Sequence, residues 1–592
     1  MRDFLKYTFA SLLALLIFLG MSISSLLFLV ILSASRDPVP RVKEKSVLTF
    51  NMALDVTDGL QNSANIGQAL GNDASSISLK ATLDAINQAA KDKRIVALYL
   101  HGKVTGGAGY ATLKEIRRAL QGFRAAGKKI IAYDLDWSER DYYLTSVADT
   151  IVLHPFGSLE LNGFSSEGTF FAGALQKYGI GVQVTRVGKY KSAVEPFLLT
   201  KRSPENRQQT QQLLGDLWSE FATAVEQERK VTPQQLQAIA DNNAILEPDE
   251  ALRQRLITKV GYEDEVFEQL KQLSTEDDNS FRRINLQTYA RVAQTELQKK
   301  GGSGDKIAIV YAEGDIVDGK GDFDQVGGDR FARLLRKIRQ DDDVKAVVLR
   351  VNSPGGSAVA SDVIQREMIL TRKVKPVVVS MGAVAASGGY WISTYSDRIF
   401  AEPNTITGSI GVFGLLPNVQ ELANRNGVTW DSVKTGRFAD IQTITRPKTP
   451  QELALIQKSV DRIYDQFLNK VAESRKLPRA KVAEIAQGRV WSGKQAKALG
   501  LVDELGGLEA ALQEAAKRAN LGDQWQVEEY PAPPTLAELL FSDSDNQIAK
   551  YLEGDDVVLT ELRKLRADLA ILTTLNDPRG VYARLPINFR ID

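Results

Sequence analysis

The 592-residue chain predicts an α/β protein of two tandem β/α repeats with long packing helices, preceded by one transmembrane helix. Three observations carry this. The chain repeats itself at a spacing near 248 residues, short β-branched runs alternate with helical patterns in both halves, and an uncharged apolar stretch lies near the start.

Composition narrows the chemistry before any motif is read. The 74 Lys+Arg against 73 Asp+Glu leave a formal net charge of +1, so no global field favours nucleic acid. Hydrophobic residues at 43% and charged residues at 25% are ordinary for globular protein. The absence of Cys removes disulfide frameworks, Cys nucleophiles, Cys-ligated zinc and iron–sulfur clusters. Only two His are present, His101 and His154, which leaves histidine-dependent catalysis little to work with. No cofactor and no metal are expected.

After a short tail (1–6), residues 7–35 read as the anchor. Tyr7 to Leu32 carries no charge, and at about 1.5 Å per residue it exceeds the roughly 30 Å hydrocarbon layer. A cleavable signal peptide is the competing reading, with Ser33-Ala34-Ser35 as a small-x-small site. Its apolar region would run only about 7–15 residues, so an uncleaved anchor is expected. Arg2 and Lys6 precede the span and Arg36, Arg41, Lys43 and Lys45 follow it, so flanking charge does not fix its direction.

Residues 46–298 and 306–540 read as two copies of one domain, joined by a Gly-rich linker at 299–305. Asp149-Thr-Ile-Val-Leu-His-Pro155 matches Asp397-Arg-Ile-Phe-Ala-Glu-Pro403, and Tyr142 to Thr145 lies under Tyr390 to Ser393 at the same offset. The β-branched runs Ile307–Tyr311, Ala346–Val351, Pro376–Ser380 and Arg398–Ala401 alternate with helices, as buried parallel strands do. Each series ends in a long amphipathic helix. Leu213, Leu214, Leu217, Phe221 and Val225 form one stripe; Ile456, Val460, Ile463, Phe467 and Val471 form the other. The tail at 541–592 is charged and weakly patterned, and suggests no function.

Two Gly-rich turns in the second copy bear on chemistry. Val351-Asn-Ser-Pro-Gly-Gly-Ser357 follows an apolar strand; its N–H groups suit an oxyanion hole, or it is simply a tight turn. Ser387, within Ala385-Ala-Ser-Gly-Gly389, stands where a strand gives way to a helix. It reads either as an accessible nucleophile or as close helix packing. A serine nucleophile needs a base, and a buried neutral lysine is what the composition leaves. In Arg186-Val-Gly-Lys-Tyr-Lys-Ser-Ala193 there are two candidates, Lys189 and Lys191. At the repeat spacing Lys191 falls on Ala439 and Lys189 on Arg437, while Ser387 falls on Glu139. One copy keeps a base and the other a nucleophile, as a shared site requires and as drift in two inert copies would also leave.

The runs VNSPGGS (351–357), MGAVAASGGYWIST (381–394), TGSIGVFG (407–414) and RVGKYKSAVEPF (186–197) together resemble peptidase family S49, in the long duplicated form of the bacterial signal peptide peptidase A type. The resemblance spans nearly the whole chain. It implies a crotonase/Clp-protease-like fold and a serine protease with a Ser–Lys dyad. Ser387 would be the nucleophile, Lys191 the general base and acid, and Ser409 the residue that orients the lysine. The N–H groups of Gly356 and Gly388 would form the oxyanion hole. The same resemblance implies a homotetramer on the bacterial inner membrane, with a single membrane pass and the catalytic part on the periplasmic side. Its substrates would be released signal peptides and other apolar extended peptides. An acyl-CoA-processing enzyme of crotonase type and an inert membrane scaffold stand as the alternatives.

Overall fold

The computed structural model describes residues 6–9, 12–15, 17–18, 20–21, 41–59, 76–104, 107–274, 276–277, 280–300, 304–522, 525–532, 577 and 580–585. Most of the expected anchor at 7–35 lies outside them, as do the centre of the linker and most of the tail. Among the described residues no helix is long and apolar enough to cross a membrane.

The front copy (46–298) is a parallel sheet, β1 (Ser46–Asn51), β2 (Ile95–His101), β3 (Lys129–Trp137) and β4 (Thr150–Glu160), lying in that order. Helices α1 (Leu79–Lys91) and α2 (Tyr110–Ala125) make the crossovers. Strand β5 (Gly181–Val187) then leaves this sheet, and the 26-residue helix α3 (Pro204–Arg229) follows. The rear copy (306–540) repeats the plan with β6 (Lys306–Glu313), β7 (Val344–Ser353), β8 (Gly355–Ser357), β9 (Val377–Ala386) and β10 (Ile406–Gly408). There β6, β7, β9 and β10 are neighbours in that order, all parallel. The short helix α4 (Gly388–Ser393), strand β11 (Val412–Asn418), the 26-residue α5 (Pro450–Arg475) and β12 (Gln526–Tyr530) complete it, and β13 (Val581–Arg584) comes from the tail beyond it.

The two long helices carry the mark of duplication in their ends. Ser203 and Thr449 cap them, a proline follows in each first turn, and each ends on a left-handed lysine, Lys230 or Lys476. Their stripes are largely buried as the 3.6-residue period predicts, except that Leu214 and Ile456 are only half-buried. Tyr142 and Tyr390 repeat a bond as well, donating to the carbonyls of Leu256 and Leu501. Strands β6, β7 and β9 are apolar on both sides because both faces are covered; Ala346, Val347, Val348 and Leu349 are each fully buried.

What positions the site is a sheet that belongs to neither copy alone. Strand β5 of the front copy pairs antiparallel with β11 of the rear, from Val187 opposite Val412 to Gly181 opposite Asn418. Continued past Val187, that register brings Lys191 level with Gly408 and Ser409. The same six-stranded sheet contains β8 and, between β8 and β11, the strand β13. A charged contact closes the junction elsewhere. The fully buried Arg350 of the rear copy pairs with Asp58 at 2.6 Å and Glu115 at 2.8 Å, both from the front copy.

Candidate active site

Strand β9 ends in Ala385 and Ala386, and Ser387 then turns the chain into α4 with φ +56° and ψ −111°. A β-bearing residue rarely holds that conformation, and the surroundings enforce it. The Ser387 N–H donates to the Gly408 carbonyl at 2.8 Å, and the Ser387 carbonyl accepts from Trp391 at 2.8 Å. The small neighbours have a steric reason. A β-carbon on Gly388 would come 3.0 Å from Gly355 Cα, and one on Gly389 would come 2.6 Å from the Ser353 carbonyl oxygen. Close packing and a presented hydroxyl are therefore one arrangement: the start of α4 is pressed against the Pro354-Gly355-Gly356 turn.

Lys191 arrives from the other copy. Gly188 adopts φ +102°, and a β-carbon there would lie 2.4 Å from the carbonyl carbon of Gln487. Tyr190 N–H donates to the Gln487 carbonyl at 3.0 Å, which pins the front-copy loop to the rear copy. The amide of buried Gln209, on α3, donates to the Tyr190 carbonyl and the Ser192 hydroxyl at 3.1 Å each, and its oxygen accepts from Val490 N–H at 3.2 Å. Gly488, at φ +75°, leaves the space the lysine stem fills; a β-carbon there would stand 2.6 Å from Lys191 Cβ.

At the end of that stem, Lys191 Nζ lies 2.7 Å from Ser387 Oγ and 3.0 Å from both the hydroxyl and the carbonyl oxygen of Ser409. Ser409 is itself held in a left-handed turn (φ +49°) by its N–H donating to the Arg489 carbonyl at 2.7 Å. All three residues are fully buried. Burial holds the Lys191 amine well below its ordinary value. A neutral amine has two N–H donors and one lone pair. Three oxygens lie within hydrogen-bond reach of the amine, two from Ser409 and the Ser387 Oγ, so a neutral amine there has a partner for each N–H and for its lone pair.

The other candidates separate by environment. Lys189 is exposed, its ammonium 5.3 Å from the centre of the Tyr190 ring. His101 stacks on Tyr99 at 5.0 Å, and His154 Nδ1 accepts from Phe156 N–H at 3.1 Å. In the front copy Glu139 stands where Ser387 would be, and its carboxylate accepts N–H bonds from Asn162 at 2.5 Å and Gly163 at 3.1 Å. Gly356 sits in β8, where a β-carbon would meet the Ile316 carbonyl oxygen at 1.9 Å. Gly388 opens α4 directly beside Ser387.

The Peptidase family S49 model matches residues 122–276 and 369–522, one match in each copy. The chain belongs to peptidase family S49. It is a serine protease. It is 38% identical over 522 residues to Protease 4 of Salmonella typhi, covering 86% of this chain and 83% of that one. It is 37% identical over 517 residues to Protease 4 of Haemophilus influenzae, covering 84% and 83%. The chloroplastic Serine protease SPPA of Arabidopsis thaliana is 32% identical over 544 residues, covering 90% and 79%. A ClpP1 structure from Listeria monocytogenes overlaps 37% of the chain and 99% of its own length, at 15% identity and a TM-score of 0.24, and adds nothing to the assignment.

For this S49 peptidase, sequence reasoning passes over Gln209 and Gly488. Gln209 is one of several glutamines on α3, and only its burial singles it out. Gly488 lies outside every motif, and nothing local signals that a lysine from the other copy will pack on it.

Proposed function

We propose that this serine protease cleaves peptide bonds with Ser387 as nucleophile and Lys191 as general base and acid. The observation that carries the reading is the 2.7 Å contact between Ser387 Oγ and a completely buried amine, whose burial favours its neutral form. Neutral Lys191 takes the Ser387 proton as Oγ attacks the scissile carbonyl carbon, and the resulting ammonium gives that proton to the leaving amine. Water then attacks the acyl-enzyme with Lys191 as base, and Ser387 regains its proton. The two Ser409 oxygens hold the amine in line with Oγ. The N–H groups of Gly356 and Gly388 supply the oxyanion hole, which the meeting of their two turns supports.

The substrate class is extended apolar peptide, with signal peptides left in a membrane as the main source. Support comes from the resemblance to signal peptide peptidase A and from the uncharged stretch at 7–35, which would tether the site beside such peptides. On the same ground the protein is a single-pass homotetramer of the bacterial inner membrane, its catalytic part on the periplasmic side.

A fluorophosphonate, followed by mapping of the modified residue, tests the reaction class. Modification of Ser387, together with loss of hydrolysis of an unfolded apolar peptide in Ser387→Ala, is the expected result. Turnover of an acyl-CoA thioester without peptide hydrolysis contradicts it, as does an unmodified protein inert toward both.

A further inference from the structure

The side-chain amide of Gln209, buried on α3, touches the surroundings of both reacting residues. On the lysine side its nitrogen donates to the Tyr190 carbonyl and the Ser192 hydroxyl at 3.1 Å each, the two residues that flank Lys191. On the serine side its oxygen accepts from Val490 N–H at 3.2 Å. Val490 opens the short strand Val490–Ser492, which pairs antiparallel with β10 and sets Val490 opposite Gly408. Gly408 is the residue whose carbonyl accepts the Ser387 N–H, and its neighbour Ser409 donates its own N–H to the Arg489 carbonyl. One amide thus spans the gap between the loop that carries Lys191 and the strands that hold Ser387 and Ser409.

The amide is itself held. The carboxamide oxygen of Asn206, one turn earlier on α3, lies 3.4 Å from the Gln209 nitrogen, and the Asn206 nitrogen donates to Glu195 at 2.9 Å. Glu195 is buried in the segment that follows Lys191, and it also accepts from the Ser203 hydroxyl at 2.6 Å and the Ser203 N–H at 3.2 Å. Only one orientation of the Gln209 amide is satisfied. Reversed, its oxygen would face the oxygens of Tyr190 and Asn206, and its NH2 would face the Val490 N–H. The rear copy supplies an internal comparison. With the caps Ser203 and Thr449 in register, Gln209 falls on Leu455 and Asn206 on Glu452. Leu455 is exposed, and Ala439 stands there in place of Lys191. An amide needed by the β/α fold would serve both copies; this one accompanies the lysine.

Resting on the reading of Ser387 and Lys191 as the reacting pair, we propose that Gln209 is a positioning residue for the reaction, setting the approach of the Lys191 amine to Ser387 Oγ by holding the lysine loop against the Val490 strand. The lysine stem sits against Gly488 and Gly411, but a flexible stem moves with the backbone that bears it. Release of the ties to Tyr190 and Ser192 lets that backbone shift, and a displacement of about 1 Å in such a site costs on the order of a hundredfold in rate. The same release admits water beside the amine, which lifts its ionisation back toward the ordinary 10.5. Because Gln209 acts through Lys191, the loss falls on the chemical step and not on peptide binding.

Gln209→Leu, which installs the residue of the rear copy, tests this in the full chain. Acylation of Ser387 by a fluorophosphonate is expected to slow by roughly tenfold to a hundredfold, with its pH profile moved toward alkali. For an unfolded apolar peptide, kcat is expected to fall with it while KM stays within about twofold. Ser492→Ala is the comparison. The Ser492 hydroxyl donates to Asp216 at 2.6 Å, and so ties α3 to the same strand without reaching the lysine loop. Its acylation rate and pH profile are expected to match those of the unsubstituted chain. Gln209→Glu keeps the size and the oxygen that meets Val490 N–H, but puts an oxygen where the nitrogen donates. It is expected to show the same slowing and the same alkaline shift, and it decides the matter if the leucine variant does not fold. A folded Gln209 variant with an unchanged rate or an unshifted profile overturns the proposal, as does an equal loss in Ser492→Ala. Failure of the dyad reading is seen separately, as acylation in Lys191→Met that is as fast as in the unsubstituted chain.

Discussion

Lys191→Met is expected to lower peptide hydrolysis by about six orders of magnitude, the loss seen when a base that acts as a unit with its nucleophile is removed. The chain is expected to stay folded and to gain stability. Methionine fills the same slot between Gly488 and Gly411 with a flexible apolar stem and brings no buried amine. The sign of the pH dependence follows from burial. The folded chain holds Lys191 neutral over a range in which the unfolded chain keeps it charged, because desolvation depresses the folded value below the ordinary 10.5. Within that range the unfolded state binds the extra proton, so stability of the unsubstituted chain rises with pH by up to about 1.4 kcal/mol per unit. The Tm advantage of Lys191→Met is therefore greatest at low pH and closes as the pH approaches 10.5. Calorimetry across a pH series reads it. An advantage that is constant or grows with pH would mean that Lys191 is charged in the folded protein.

Arg350→Met is the second large effect, and it acts on the junction that brings the dyad together. The Arg350 guanidinium is completely buried between Asp58 and Glu115 of the front copy and also donates to Ser380 Oγ at 2.9 Å. Removing one member of such a cluster leaves uncompensated buried charge and costs about 3–5 kcal/mol. Burial pushes the Glu115 carboxyl upward; Arg350 is the larger of the influences that pull it down, with the Leu508 N–H the lesser. Without the guanidinium, Glu115 is buried more easily in its protonated form, so the loss is smaller in mild acid and larger in mild alkali. Urea unfolding at both conditions reads this, and a midpoint unchanged at either would contradict it. Hydrolysis is expected to fail at lower urea concentration than in the unsubstituted chain, since Lys191 and Ser387 stand on opposite sides of the junction.

How much of this was legible in the sequence depends on whether the signal is local. The strands β6, β7 and β9 announce themselves as β-branched runs, and α3 and α5 as apolar stripes with Ser203 and Thr449 at their starts. The repeat spacing pairs Ser387 with Glu139 and Lys191 with Ala439, which points to a divided site without saying how it closes. The choice between Lys189 and Lys191, two residues apart in one loop, is made by burial: one is exposed and the other is not. Pairing across long sequence separations leaves no local trace. The register of β5 on β11 joins residues more than two hundred positions apart. Strand β13 is four residues long in a charged, weakly patterned tail, and only its two partner strands make it a strand. Gly488 is required by the stem of Lys191, a neighbour from the other copy that no window around Gly488 contains.

The rate at which a fluorophosphonate acylates Ser387, followed against pH in the unsubstituted chain and in Lys191→Met, tests the central claim most directly. A neutral buried amine as base predicts a rate that climbs with pH along a single ionisation below 10.5, and a slow, pH-independent rate once the lysine is gone. A rate on Ser387 that is equally fast and equally shaped in both proteins would contradict it.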